Sequence, residues 1–443
     1  MSLLTRLGGN QQSEHGKEKE IKPISTVKKS VELEVRLHNF LVEELKKPVN
    51  QGKELEPLVE KLSEDFFEKE GKYLTLEEKK QLINDTSHEL TGYGPISPLL
   101  ADPDVTEVMV NGPNEIYAEV NGRIQRTTAQ FRDDLHVMRV IEKIVAPLGR
   151  RIDESVPMVD ARLPDGSRVN AIIPPLALNG PTITIRKFSE TPFTIYDLLR
   201  MGTLNQDMAD FLKAAVEAKL NVFISGGTGS GKTSTLNVIS SFIPRHERIV
   251  TIEDAAELKL SQDHIVSLES RPRNIEGQGE ITIRDLVRNS LRMRPDRIIV
   301  GEVRSAEALD MLQAMNTGHD GSLGTGHANT PRDLLARLET MVLMSGFELP
   351  VRAIREQISS ALDIIVQQAR MKDGSRKITR ITEVLGLEGD TIVLQDIYVY
   401  NERKNIETGK VEGKFASTGI RPHCVEKLEL AGHNLQNIFK EEW

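Results

Sequence analysis

One stretch of the chain, residues 221–234, constrains the fold more than any other. It reads Asn-Val-Phe-Ile-Ser-Gly-Gly-Thr-Gly-Ser-Gly-Lys-Thr-Ser, a short apolar run that leads into a glycine-rich turn and a helix start. Gly226, Gly231, Lys232 and Thr233 match the phosphate-loop pattern G-x-x-x-x-G-K-[ST]. A chance glycine-rich turn is the alternative. The apolar run, the glycines, the Lys-Thr pair and the helix pattern follow one another at the expected spacing. We therefore predict a phosphate-binding loop after a buried strand.

The residue types of this loop suit polyphosphate binding. Glycines let successive backbone N–H groups point at phosphate oxygens, and the helix N-terminus adds partial positive charge. We expect Lys232 to reach the β and γ phosphates and the Thr233 hydroxyl to bind Mg²⁺. No Asn-Lys-x-Asp tetrapeptide occurs, which disfavours a GTPase. The expected nucleotide ligands are Gly226, Gly227, Thr228, Gly229, Ser230, Gly231, Lys232, Thr233 and Ser234.

Length, charge and cysteine content limit the possible classes of protein. A chain of 443 residues exceeds what one core usually organises, so we expect two or three domains. Its net charge of −9 argues against direct nucleic-acid binding. The single cysteine, Cys424, excludes a four-cysteine zinc module and suits a reducing cytoplasm. The sequence also lacks a long apolar run or a signal peptide core, so we expect a cytoplasmic protein without a transmembrane segment.

Changes in sequence pattern predict four segments. Residues 1–30 contain few large apolar groups and are expected to be a flexible tail. Apolar residues at helical spacing over 31–92 predict a small helical bundle. Short alternating runs and Asn-Gly turns over 93–190 predict an α+β N-terminal domain. Strands that alternate with helices over 191–443 predict a parallel α/β domain closed by a β-hairpin, with the phosphate loop at a strand's carboxyl end.

Two further strands of this last domain end in carboxylates. Arg297-Ile-Ile-Val-Gly-Glu302 reads as a Walker B strand in which Gly301 replaces the usual aspartate, so Glu302 is expected to position Mg²⁺ or polarise the attacking water. A surface glutamate at a strand end is the alternative. The other strand ends in Glu253, Asp254 and Glu257. These acids suit the same chemistry, or Asp254 caps the following turn.

Two histidines, His319 and His327, lie in a glycine-rich stretch. Their H-x₇-H spacing matches no common zinc pattern, so we favour a γ-phosphate sensor over a metal site or a purely structural role.

Arginine is enriched between residues 271 and 304, where eight arginines occur and no lysine. A predicted helix over 282–293 places Arg284, Arg288 and Arg292 on one face. Guanidinium groups tolerate partial burial and pair with phosphate or carboxylate, as subunit interfaces require. A solvated face with acidic partners is the alternative. The predicted N-terminal domain adds candidate arginine fingers, of the kind that complete a neighbouring nucleotide site: Arg150, Arg151, Arg162, Arg168 and Arg186.

The order of four boxes carries a family resemblance. The phosphate loop, the Ile-Glu-Asp-x-x-Glu box, the Val-Gly-Glu-Val-Arg strand and the double-histidine box resemble the secretion-superfamily traffic ATPases of type II and type IV secretion and type IV pili. Gly92-Tyr-Gly-Pro-Ile-Ser-Pro-Leu-Leu and Ile381-Thr-Glu-Val-Leu-Gly are similar to the CpaF group, which powers tight-adherence (Tad) pili. The missing four-cysteine zinc module agrees with the Tad and type IV secretion groups.

The resemblance implies an α/β fold with a RecA-like P-loop ATPase domain, preceded by an α+β N-terminal domain and a small helical bundle. It implies a homo-hexamer that binds ATP and Mg²⁺ between the two larger domains, with the metal held by Thr233 and Glu302. The residues that it assigns to catalysis are Lys232, Glu253, Glu257, Glu302, His319 and His327, with Arg162, Arg168, Arg292 and Arg304 as candidate fingers.

The function that we expect is a cytoplasmic motor, peripheral at the inner membrane, that couples ATP hydrolysis to the assembly or retraction of a pilus through inner-membrane platform proteins. A type IV secretion ATPase that exports protein or DNA–protein substrates is the first alternative. A nucleic-acid translocase is the second, which the acidic charge disfavours.

Overall fold

The computed structural model describes residues 24–47, 55–70, 74–120, 122–188, 192–273, 278–404 and 411–433. The chain divides into two compact units, Met1–Phe188 and Ser189–Trp443. This division lies close to the boundary predicted at residue 190, while the finer domain limits remain predictions. In the described part of the chain, no helix is long and apolar enough to cross a membrane.

The first unit begins with three helices, α1 (Ile24–Leu45), α2 (Leu55–Glu70) and α3 (Leu76–Leu90). They share a small core of Leu37, Leu41, Val59, Phe66, Phe67 and Leu82. The prediction of a tail over residues 1–30 is wrong for its last part, since α1 already begins at Ile24. Residues 24–30 contain no glycine or proline, so no helix-breaking residue separates them from the predicted bundle. Residues 1–23 lie outside the described part of the chain.

An antiparallel sheet with the strand order β3-β2-β1-β6-β5-β4 completes the first unit. Its elements are α4 (Ser97–Ala101), β1 (Val105–Asn111), β2 (Ile116–Val120), β3 (Arg123–Arg126), α5 (Asp134–Val145), β4 (Met158–Arg162), β5 (Arg168–Ile172) and β6 (Thr182–Arg186). The sequence did not predict β3 and β4, the two edge strands. Edge strands bury little, so they lack the apolar alternation that identifies a strand.

The second unit is built on a nine-stranded sheet with the order β15-β14-β13-β12-β7-β11-β10-β8-β9. Its strands are β7 (Val222–Gly226), β8 (Ile249–Glu253), β9 (Ile265–Glu269), β10 (Arg297–Val300), β11 (Leu323–Gly326), β12 (Ile364–Arg370), β13 (Arg376–Glu388), β14 (Thr391–Lys404) and β15 (Val411–Ser417). Its helices are α6 (Ile195–Arg200), α7 (Gln206–Glu217), α8 (Lys232–Ser240), α9 (Ile283–Ser290), α10 (Glu307–Asn316), α11 (Pro331–Leu343), α12 (Val351–Ala361) and α13 (Val425–Leu430). The six strands from β12 to β9 in this order are parallel, which confirms the α/β class.

Both faces of the parallel strands are covered. In β7, Val222 and Ile224 pack into one hydrophobic cluster, whereas Phe223 packs into another. Side chains alternate between the two faces of a strand, so these clusters lie on opposite sides of the sheet. A strand buried on both faces explains the continuous apolar run before the phosphate loop.

The sequence missed β12, which pairs with β7 in parallel and begins almost directly after α12. Its apolar residues follow those of the helix without a turn signal, so periodicity alone could not separate the two elements. The predicted hairpin is present as β13 and β14. The sequence predicts its turn over residues 386–389, but the chain turns at Gly389 and Asp390. Gly386 lies within β13 beside a register shift and has a φ of 114°, which marks a bulge rather than a turn.

Candidate functional site

Four parallel strands bring the sequence-predicted residues to one edge of the second unit's sheet. The phosphate loop follows β7, Glu253 ends β8, Glu302 lies just beyond β10, and His327 follows β11. Because β7, β11, β10 and β8 are neighbours and parallel, their carboxyl ends lie side by side. Ligands of open α/β sheets bind at this edge.

The phosphate loop requires its glycines for steric reasons. Gly229 and Gly231 have φ values of 70° and 94°, a region that side chains other than glycine rarely adopt. A Cβ atom on Gly226 would lie 2.4 Å from the carbonyl oxygen of Gln368 on β12. The loop is therefore held tightly against its neighbouring strand, and α8 begins immediately after it at Lys232.

Lys232 is directed into the loop and not into solvent. Its side chain is buried, and its Nζ donates to the carbonyl of Gly227 at 3.0 Å. The same Nζ lies 3.3 Å from Nδ1 of His327. An ammonium group can only donate, so Nδ1 is the acceptor and the imidazole proton resides on Nε2. Burial, followed by the charge of Lys232, lowers the pKa of His327 and favours this neutral form.

His327 in turn reaches Glu302, since Nε2 of the imidazole lies 2.8 Å from Oε1 of the carboxylate. The other carboxylate oxygen accepts from Arg304 at 2.7 Å, and Arg304 also pairs with Asp254 at 3.2 Å. Burial raises the pKa of Glu302, but the hydrogen bond and charge of Arg304, with smaller contributions from His327 and Lys232, outweigh it and leave the pKa below its ordinary value. Glu302 is therefore a carboxylate at neutral pH.

The structure explains why glycine replaces aspartate before Glu302. A Cβ atom on Gly301 would lie 2.8 Å from Cγ of Glu253, so the buried Glu253 side chain occupies the space that an aspartate would need. Oε1 of Glu253 accepts the backbone N–H groups of Glu257 at 2.9 Å and Leu258 at 3.2 Å. Glu253 thus orders the turn that follows β8. Asp254 does not cap this turn, which was the alternative for this residue. Its carboxylate accepts a hydrogen bond from Ser270 Oγ and pairs with Arg304.

Glu302 and Thr233, the second residue of α8, are of the residue types that could bind a metal ion arriving with a nucleotide. Oε1 of Glu302 is buried, and the protonated Nε2 of His327, at 2.8 Å, faces only one of its acceptor positions. This oxygen retains acceptor capacity for a water molecule or a hydrated cation. The described residues contain no group of three or more His, Cys, Asp or Glu side chains that could hold a metal unaided. Mg²⁺ needs few protein ligands when phosphates supply others.

His319 lies away from this group, which corrects the prediction of one double-histidine box. His319 precedes β11, and His327 follows it. β11 starts beside the start of β7 in parallel register, so His319 lies at the amino edge of the sheet, opposite the phosphate loop. Its Nδ1 is buried and has no hydrogen-bond partner among the residues described. Sequence proximity suggested a pair that the intervening strand separates.

The arginine-rich segment is largely engaged within the unit. Arg284 and Arg288 both pair with Asp310 on α10, with distances from Nε to the carboxylate oxygens of 2.8 Å and 3.8 Å. This agrees with the alternative prediction, a charged face with acidic partners. Arg292 does not lie on their helix face, because α9 ends at Ser290. Pro295 follows closely and disfavours helical geometry in the residue before it. Arg297 is fully buried against Glu247.

Arg162 and Arg168 lie in the first unit, on β4 and β5, where they are directly opposite each other in the strand register. Their assignment as fingers remains a prediction.

Two residues near the phosphate loop were missed by the sequence reading. Gln368 on β12 accepts from Thr235 Oγ1 at 2.8 Å, and Arg376 on β13 donates from Nε to the carbonyl of Gly229 at 3.1 Å. Neither belongs to a motif, and both come from strands far from the loop in sequence. The apolar run of β12 was the one signal that could have placed them there.

Comparison with known proteins gives a consistent result. The family model "Type II/IV secretion system protein" matches residues 89–388. A Mycobacterium tuberculosis protein provisionally named for conjugal transfer is 37% identical over 307 residues, covering 68% of this chain and 87% of its own. VirB11 of the Bartonella henselae type IV secretion system is 32% identical over 335 residues, covering 66% of this chain and 92% of its own. The crystal structure of the Brucella suis VirB11 ATPase is 30% identical, covers 65% of this chain and 91% of its own, and has a TM-score of 0.36.

Proposed function

The chain belongs to the type II/IV secretion system protein family, and from this premise we propose that it is an ATPase that powers a secretion or pilus machine. The observation that carries the proposal is the contact of Lys232 with His327 and of His327 with Glu302. These contacts join the phosphate loop to the Walker B carboxylate through one neutral imidazole. Such a link allows the state of the phosphates to affect the group that would act on water.

Each side chain has a role in this proposal. Lys232 binds the β and γ phosphates of ATP, and Thr233 and Glu302 hold Mg²⁺, which neutralises charge on the phosphates. Glu302 remains ionised because of Arg304, so it can orient and polarise the attacking water. His327 contacts both groups and senses the γ-phosphate. Glu253 supports Glu302 by filling the space beside Gly301. We place Glu257 in the same acidic turn, and leave His319 outside this group.

The machine that we propose is a Tad-type pilus, with the chain acting as a cytoplasmic homo-hexamer on inner-membrane platform proteins. The CpaF-like stretches at Gly92 and Ile381 support this choice. Export through a type IV secretion system is the second candidate, and the names of the Mycobacterium and Bartonella relatives favour it. Deleting the gene in its host separates the two: loss of filaments with intact substrate transfer supports the pilus, and the reverse result supports secretion.

The ATPase proposal is tested with the purified full chain. Lys232→Ala should lower kcat for ATP hydrolysis by about 100-fold or more, since it removes a preorganised charge at the transferring phosphate. Lys213→Ala is the matched control, because Lys213 is a lysine on α7 with only a 4.0 Å pairing to Glu217. Absence of hydrolysis by the unaltered protein, or equal rates for the Lys232→Ala variant, contradicts the proposal. DNA-stimulated hydrolysis would instead favour a translocase.

A further inference from the structure

The end of the β12–β13 hairpin lies beside the phosphate loop. β12 runs parallel to β7, so its carboxyl end reaches the same edge of the sheet as the loop. β13 returns antiparallel, and its register places Arg376 opposite Arg370. Two arginines of the same chain therefore face the edge where the phosphates of ATP are proposed to bind.

Arg376 contacts the loop directly. Its Nε donates to the Gly229 carbonyl at 3.1 Å, and its Cδ lies 3.1 Å from the position that a Cβ atom on Gly231 would occupy. Nη1 of Arg370 lies 3.6 Å from the corresponding position at Gly229. The two glycines with positive φ in this loop are thus the two that the arginines approach.

The charge of Arg376 is not directed at an acid. Among the described residues it forms no ion pair with a carboxylate, whereas Arg380 on the same strand pairs with Asp396. An arginine carries five N–H donors in a planar fork. One of these donors forms the hydrogen bond to the Gly229 carbonyl, and the remaining donors can bind a second acceptor nearby.

We propose that Arg376 is a positioning residue for the polyphosphate, acting from the same subunit by holding the tip of the phosphate loop through the Gly229 carbonyl. Because Arg376 holds the Gly229 carbonyl on the side of the loop away from the phosphates, the N–H groups of the loop remain directed toward the phosphates. Together with Arg370, the guanidinium adds positive charge to the outer side of the loop. This inference rests on the proposed ATPase function.

The test compares Arg376→Ala, Arg376→Lys and the matched control Arg380→Ala, which removes an exposed arginine of the same strand. KM and kcat for ATP hydrolysis are measured, with equilibrium binding of a fluorescent ADP analogue. Loss of a charge-assisted contact predicts about a 10-fold rise in KM and in the Kd of the analogue for Arg376→Ala, with kcat within about 3-fold. Arg376→Lys, which keeps the charge, should give intermediate values, and Arg380→Ala should match the unaltered protein.

Several results would overturn the inference: a KM and Kd within 2-fold of the unaltered protein, a fall in kcat alone, or an equal defect in Arg380→Ala. If Arg376→Ala does not fold, as judged by its circular dichroism spectrum, the intermediate values for Arg376→Lys decide the question. An inactive unaltered protein refutes the ATPase proposal, whereas an active protein with a normal Arg376→Ala variant refutes this inference alone.

Discussion

Replacing Arg297 by methionine tests the role of the most deeply buried charge among the described residues of the second unit. The guanidinium is 0% exposed. It donates to both carboxylate oxygens of Glu247, at 2.6 Å and 3.0 Å, and to the carbonyls of Val216 and Gly321, at 2.7 Å and 3.2 Å. Methionine fills much of the same volume but leaves these acceptors unpaired.

The expected cost follows from the carboxylate that remains. Glu247 has a side-chain exposure of 5%, and among the described residues it would retain one cationic partner, Lys219, at 3.7 Å. Breaking a buried ion pair by removing one member costs ~3–5 kcal/mol. For a unit of this size, 1 kcal/mol corresponds to a change of ~2–4 °C in Tm, so Arg297→Met should lower Tm by roughly 6–20 °C.

Differential scanning calorimetry of the full chain measures this shift. Arg273→Met is the matched control, because Arg273 forms an exposed pair with Glu280 that should contribute ~1 kcal/mol or less. The double variant Arg297→Met with Glu247→Met should recover most of the loss, since no unpaired charge stays buried. A Tm for Arg297→Met within ~2 °C of the unaltered protein, on the scale given above, would refute the reasoning.

Two further predictions concern the site. The pKa of His327 is lowered from 6.5, so kcat should stay constant as pH falls to that value and decline below it, when a protonated imidazole faces the Lys232 ammonium. A pH–rate profile measures this, and an acidic limb centred above 6.5 contradicts it. Gly301→Ala should displace Glu253 and reduce the free energy of unfolding by ~1–3 kcal/mol. Urea titration tests this, and an unchanged unfolding midpoint would show that Glu253 does not fill the space.

Much of the site could be predicted because its motifs are local. The phosphate loop is a continuous segment whose glycines, lysine and threonine act through their own backbone and their nearest side chains, so spacing along the chain was sufficient. Glu302 and His327 were predictable because each follows an apolar strand, and the carboxyl ends of neighbouring parallel strands meet at one edge. The same reasoning failed for His319, since it did not account for the strand between the two histidines.

The sequence alone determined that the chain contains a phosphate loop in an α/β sheet and that acids and a histidine follow other strands of that sheet. Only the tertiary structure decided the partners of these groups. It joined Lys232 to Glu302 through His327, filled the space beside Gly301 with Glu253, and engaged Arg284, Arg288 and Arg297 inside the unit. It also brought Arg376 to the loop from a strand about 150 residues later in the chain. Charged side chains pair according to strand order and register, and neither is encoded in local spacing.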